Sequence, residues 1–274
     1  MPHFDTHCHL QDPRIATQLN TLLQHAAAAD VQLMLCCATS ESDWNIVLDI
    51  ARQYPATVIP ALGIHPWYAT DRSPVWHDRL RTLLANPATA VGEIGLDHAI
   101  SPRSDADQDA LFLAQLDLAA EFRRPVSLHC RQAWGSLIEH LQKARRLPPA
   151  IVIHSYSGPP EIIPRLLPFN VFFSFSGSLT QPHHHRAHAT VPAVPSARLL
   201  LETDAPDIDP NPVPDPEGIR PFGPPNEPAN ARAVAHRIAE LRQSSFNEIA
   251  QLTWNNARRI FVLTSHDHPD KELE

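Results

Sequence analysis

Short runs of nearly unbroken apolar residues alternate with longer stretches of helical spacing along most of the chain. The runs fall at 4–10, 32–38, 58–63, 90–95, 125–129, 151–154, 171–176 and 199–204. Each has strand length and is apolar at successive positions rather than alternate ones, as expected for parallel strands buried on both faces. Between them, helices are predicted at 16–29, 42–53, 73–86, 105–122 and 132–146, and two more at 228–243 and 245–263 close the chain. In the longest, Ala110, Leu111, Ala114, Leu116 and Leu118 supply the apolar face. Eight strands, most followed by a helix-length segment, predict an α/β fold, a single (β/α)₈ TIM barrel.

Two connections depart from this rhythm. In 181–196, Pro182, Pro192 and Pro195 leave room for a short helix only, and His183-His184-His185 reads as a solvated loop. After the eighth strand come Pro206, Pro210, Pro212, Pro214, Pro216, Pro221, Pro224, Pro225 and Pro228, which forbid a regular element. A long connection of this kind in a compact domain is usually functional, so it is expected to drape over the barrel mouth. Gly63, Gly92, Gly95, Gly158 and Gly177, five of only eight glycines, lie at or just past strand ends and mark one crowded face.

At 274 residues and 43% hydrophobic composition, the chain is expected to form one domain over 1–274, with 265–274 as a flexible tail. A formal net charge of −8 disfavours a broad basic nucleic-acid-binding face but not a small cationic pocket. With no long apolar run and no signal-peptide pattern at its start, the chain is expected to be soluble and cytoplasmic, without membrane or obligate protein partner. Cys8, Cys36, Cys37 and Cys130 lack metal-site spacing and disulfide-scaffold density, and read as small buried strand residues. By strand parity, Cys8 and Cys130 point outward toward the helices.

Parity also brings the chemistry together. Alternate strand residues share a face, so His7 and His9 point the same way, about 7 Å apart along the strand. Barrel sites form at the C-terminal ends of strands, and those ends carry His7 and His9, His65, Glu93, His129, His154 and Asp204. These are ligand types for a borderline divalent cation. Six metal ligands exceed one tetrahedral catalytic site but suit two ions sharing a carboxylate. Glu93, on strand four, is the expected bridge, between His7, His9 and Asp204 on one side and His129 and His154 on the other. Two such ions can hold a bridging hydroxide as nucleophile, with Asp204 as proton acceptor, which suits phosphodiester hydrolysis.

Asp5 and Glu202 share faces with His7 and Asp204. They either orient histidine N–H groups from below or are buried acids of a polar floor. Arg131, one step nearer the mouth than His129, binds phosphate or is an ordinary surface arginine. His65 protonates a leaving group, touches phosphate, or caps its strand. Trp67, Tyr156 and Phe222 are better read as packing than as base-stacking residues.

In order, the blocks FDTHCHL, ALGIHPW, VGEIGLD, PVSLHCR, IHSYSG, LLLETDAP, PNEP and TWNNARRIF resemble the TatD family of metal-dependent deoxyribonucleases, in the amidohydrolase-like barrel superfamily. LLLETDAPDIDP, with its proline-rich continuation, is similar to the YjjV-like branch. The resemblance spans nearly the whole chain. It implies a two-metal hydrolase with His7, His9, Glu93, His129, His154 and Asp204 as ligands, and exonucleolytic cleavage of single-stranded DNA from the 3′ end. Mg²⁺ is the implied ion, while the imidazole-rich donors also suit Mn²⁺ or Zn²⁺. It places Asn226, within PNEP, among the substrate contacts. Gln132 and Pro225 depart from the family pattern, which commonly has aspartate and arginine there. Hydrolysis of carboxylic esters, amides, lactones or D-aminoacyl-tRNA esters is the alternative activity, since related barrels use such centres for carbonyl chemistry. Many of those bridge with a modified lysine, and Glu93 favours the nuclease-like branch. A non-catalytic metal-binding protein would lack a ligand, and none of those expected is missing.

Overall fold

A computed structural model describes residues 1–210 and 225–262. The strands are β1 (His3–Cys8), β2 (Val31–Cys37), β3 (Val58–Leu62), β4 (Ala90–Asp97), β5 (Val126–Arg131), β6 (Ile151–Ile153), β7 (Val171–Phe175) and β8 (Leu199–Leu201). They pair in parallel in sequence order, each with the next. The seam between β8 and β1 is joined at the mouth, where the Asp204 amide donates to the His7 carbonyl (2.9 Å) and the His9 amide to the Ala205 carbonyl (2.7 Å). The result is the (β/α)₈ barrel expected from the apolar runs.

The helices are α1 (Pro13–Ala16), α2 (Leu19–Ala28), α3 (Trp44–Gln53), α4 (Trp76–Leu84), α5 (Asp105–Glu121), α6 (Trp134–Lys143), α7 (Ile163–Leu166), α8 (His185–Ala193), α9 (Ala231–Arg242) and α10 (Phe246–Phe261). None of the described helices is long and apolar enough to cross a membrane. Ser104 caps α5, and Ser245 with Glu248 forms a capping box at α10, satisfying amides that a helix start leaves unpaired. The helix expected over 16–29 is α2, which starts only at Leu19, and the separate short helix α1 precedes it. Helical turns at 160–169, broken by Pro164 and Pro168, span the connection before β7, where no helix is expected from the sequence. His185 opens α8 instead of sitting in the loop, and Pro192 stands inside its last turn.

Two apolar layers follow from strand parity. Cys8, Cys36, Cys130 and their neighbours face the helices, whereas Phe4, Leu35, Cys37, Val152, Phe172 and Leu200 fill the barrel floor. Phe4 packs against Phe261 and Trp254 of α10, ring centroids 5.7 and 6.4 Å apart, so the last helix plugs the barrel from below. All four cysteines are free and buried. Of the proline-rich loop, Pro212, Pro214, Pro216, Pro221, Pro224 and Phe222 lie outside the described residues, as does the expected tail at 265–274.

Candidate metal centre at the barrel mouth

Above the apolar floor, imidazoles and carboxylates replace aliphatic side chains. Irregular strand register helps to aim them. The β1–β2 ladder shifts between Asp5 and Cys8, and the β4–β5 ladder between Val91 and Ile94, beside His7 and Glu93 respectively. Such interruptions redirect side chains near functional sites. At Gly95 no side chain fits: a Cβ there would stand 1.9 Å from the His129 carbonyl oxygen, and φ is +151°. Glycine lets β4 press against β5 between two of the site residues.

His7 Nε2 lies 3.1 Å from His9 Nε2, 3.3 Å from Glu93 Oε2 and 3.7 Å from Asp204 Oδ1. His9 Nε2 lies 3.6 Å from Glu93 Oε2 and 3.5 Å from Asp204 Oδ1. Donors placed tetrahedrally at about 2.0–2.1 Å from an ion are about 3.3 Å apart, so this foursome fits a divalent cation. The other oxygen, Glu93 Oε1, lies 3.0 Å from His129 Nδ1 and 2.8 Å from His154 Nε2, which are themselves 3.1 Å apart. Glu93 therefore gives one oxygen to each of two imidazole groups.

The far side of each ring decides which nitrogen can donate a lone pair. His9 Nδ1 is 2.8 Å from the Cys37 carbonyl, which only accepts, so that nitrogen carries the proton and Nε2 is free. His129 Nε2 faces Asp97 Oδ2 at 3.1 Å, which turns Nδ1 toward Glu93. His7 Nδ1 meets the Ser127 hydroxyl at 2.8 Å. His154 Nδ1 looks toward Glu202 Oε1 at 3.4 Å, within ion-pair range. A partner behind each ligating ring is the usual arrangement around metal-binding histidines.

Charge sets the protonation. Burial pushes the carboxyls of Glu93 and Asp204 up, but the surrounding imidazoles outweigh it and hold both below the usual range, hence ionised. His65 moves the other way. Burial, helped by His129 and His154, lowers it to about 4. Its Nδ1 accepts the Trp67 amide (3.2 Å), capping the turn at Pro66–Tyr68, so the proton of the neutral ring sits on Nε2, 3.4 Å from Glu93 Oε1. His65 thus offers the site a hydrogen rather than a lone pair.

The remaining candidates divide. Asp5 does not back an imidazole. Its carboxylate accepts from the Thr203 amide (2.9 Å) and hydroxyl (2.5 Å) and from the His7 backbone amide (3.3 Å), fixing the segment that delivers Asp204. Asn226 is not a substrate contact. It is fully buried, its Nδ2 donating to the carbonyls of Thr203, Asp207 and Ile208 while its Oδ1 accepts from Glu227 and Asn230, so no polar atom is left for a ligand. Trp67 is no packing residue either, being 53% exposed at the mouth, whereas Tyr156 is buried as expected. Arg131 is exposed on the cleft wall; Gln132 and Pro225 are also exposed. Asp97 and Ser127 went unassigned in the sequence, yet their signal was parity: Asp97 shares a strand face with Glu93, and Ser127 with His129.

The cluster opens into a cleft of two lobes, of about 550 and 720 Å³, that share Trp67, His129, His154, Asp204 and Asp207. A carboxylate set between two imidazole groups at the mouth of a (β/α)₈ barrel defines the class of metal-dependent barrel hydrolases. The chain belongs to the TatD-related DNase family, whose profile matches residues 4–262, and is an enzyme of that class. It is 35% identical over 260 residues to YjjV of Escherichia coli K12, named an uncharacterised metal-dependent hydrolase, covering 94% of this chain and 96% of that protein. It is 32% identical over 266 residues to the 3′-5′ ssDNA/RNA exonuclease TatD of Edwardsiella piscicida, covering 94% and 99% of the two chains. The crystal structure of the Escherichia coli K12 TatD homologue YjjV superposes with a TM-score of 0.86 at 33% identity, over 96% of this chain and 98% of that one.

Proposed function

We propose that this enzyme is a cytoplasmic two-metal phosphodiesterase that trims single-stranded DNA or RNA from its 3′ end. The observation that carries the reading is Glu93, whose two oxygens face separate donor groups, His7, His9 and Asp204 on one side and His129 and His154 on the other. Mg²⁺, Mn²⁺ or Zn²⁺ held there would supply an activated water and Lewis-acid stabilisation of charge on the phosphoryl oxygens. The nitrogen-rich donor set favours Mn²⁺ or Zn²⁺ over Mg²⁺.

The protein's own groups do the rest. Asp204, ionised and at the cleft edge, takes the proton of the attacking water through the carboxylate oxygen that its donor group leaves free. His65, neutral, donates through Nε2–H to a phosphoryl oxygen near Glu93, and Arg131 grips the neighbouring phosphate through its planar fork. The Trp67 and Arg131 walls admit a single strand to the ligands. The exonuclease relatives and the phosphate-compatible donors support this substrate class.

The test is nucleotide release from end-labelled single-stranded DNA after chelation and readdition of each ion, with Glu93→Ala alongside. Metal-dependent trimming from the 3′ end is expected, falling about a thousandfold or more in the variant, since each metal contributes several kcal/mol. A folded, metal-loaded enzyme that leaves DNA and RNA intact but cleaves carboxylic esters would overturn the phosphodiester assignment.

A further inference from the structure

The two lobes of the cleft differ in charge and in apolar surface. In the first, Arg14 is the one arginine or lysine among the described lining residues, and it is already taken: its guanidinium donates to Asp12 (2.9 and 2.8 Å) and Asp207 (2.7 and 2.9 Å). Asp43 adds a further carboxylate, and the exposed side chains of Trp67, Tyr68 and Ile46 line the same space. The second lobe carries Arg131 and Arg186, whose guanidinium groups have no partner among the described residues, together with His183–His185. A phosphate chain is drawn to the second lobe and repelled from the first.

We infer that the lobes sort the strand: the terminal nucleoside enters the acidic aromatic lobe with its base stacked on Trp67, while the phosphate backbone runs out through the arginine and histidine lobe. This rests on the phosphodiesterase reading and adds to it the group that positions the strand end. Trp67 lines both lobes, together with the candidate ligands His129, His154 and Asp204. It is 53% exposed, with His65 against it edge-on at 4.9 Å, so a ring face remains open. Its indole Nε1–H donates to Asp97 Oδ2 at 2.8 Å, and the same oxygen holds His129 Nε2 at 3.1 Å. The platform is thereby fixed against a ring of the metal centre, which sets the distance from the stacked base to the phosphorus one nucleotide away. The first lobe, about 550 Å³, falls within the size range of small-ligand sites, about 300–1,000 Å³. Trp67 acts as a positioning residue.

Two oligonucleotides test this, one with an ordinary 3′-terminal nucleotide and one whose last residue is abasic. Base stacking on an aromatic side chain corresponds to about five- to 150-fold. The wild-type enzyme should therefore favour the ordinary end in kcat/KM by about that factor. Trp67→Leu should lose the preference by slowing the ordinary substrate alone, while Trp67→Phe, which keeps a stacking ring but not the N–H that fixes it, should retain part of it. In chelated protein, a nucleoside monophosphate should quench indole fluorescence in the wild type but much less in Trp67→Leu. Equal handling of both ends by the wild type, or an equal loss on both in Trp67→Leu, overturns the inference. If neither oligonucleotide is trimmed, the phosphodiesterase reading fails, and the quenching titration alone then decides whether Trp67 is a nucleobase platform.

Discussion

At the barrel mouth, His7, His9, Glu93, His129, His154 and Asp204 crowd into one polar cluster. Below it, Phe4, Leu35, Cys37, Val152, Phe172 and Leu200 fill the same barrel with apolar side chains. The backbone differs as well. Around the floor-side turns, the left-handed residues Asp30, Arg123, Asn170 and Gln243 each follow a helical segment, an ordinary way to end one. Near the mouth, Gln132, Ser155, Asp204 and Ile208 are left-handed without such a role, and Asp204 is itself a candidate ligand. Conformations of that kind cost of order 1–3 kcal/mol each and persist where the surroundings over-determine them. The floor thus stabilises a scaffold on which the mouth can hold ionised groups and unfavourable backbone in place.

If that division holds, damage to the floor should cost stability and spare chemistry. The largest effect is expected from Phe4→Ala, which empties the plug under α10 and should cost about 3–5 kcal/mol. Denaturant titration measures the loss, while kcat per folded molecule should stay near wild type; a matching loss of kcat would break the comparison.

His3 gives the next effect, through pH. It is fully buried at the floor, edge-on to Phe246 at 5.4 Å, with no hydrogen-bond partner at either ring nitrogen among the described residues. Burial, then the charges of Arg232 and the N-terminus, lowers it to about 4, against the partial opposing pull of Asp30. Between its ordinary value of 6.5 and about 4, the unfolded chain binds a proton that the native ring refuses. Stability is therefore expected to fall as pH drops through that window, by on the order of 3 kcal/mol, and His3 adds nothing further below it. Melting temperatures of His3→Leu should show a flatter slope from pH 6.5 to 4, and an unchanged slope would remove His3 as the cause.

The smallest effect belongs to the mouth. Ser127→Ala takes away the hydroxyl behind His7 and should weaken metal binding about ten- to a hundredfold. Melting of the chelated protein should barely move. A metal affinity equal to wild type would mean that His7 is oriented by packing alone.

Much of this was legible in the chain because strand parity is a local property. The period of two aims the ligands inward, places Cys8 and Cys130 toward the helices, and puts Asp97 on the face of Glu93 and Ser127 on that of His129. It could not show that Asn226, 22 residues beyond Asp204, folds back into the turn after β8 and spends every polar atom on backbone. Nor could it show that Trp67 lies open at the mouth.

By itself, then, the sequence determined the order of elements, the barrel and the identity of the converging donors, since these follow from residue type and short-range spacing. Only the tertiary structure decided which ring nitrogen faces inward, which Glu93 oxygen meets which group, and how charge separates the lobes. Those depend on atoms brought together from strands far apart in the chain, through hydrogen bonds and register shifts that no local pattern encodes.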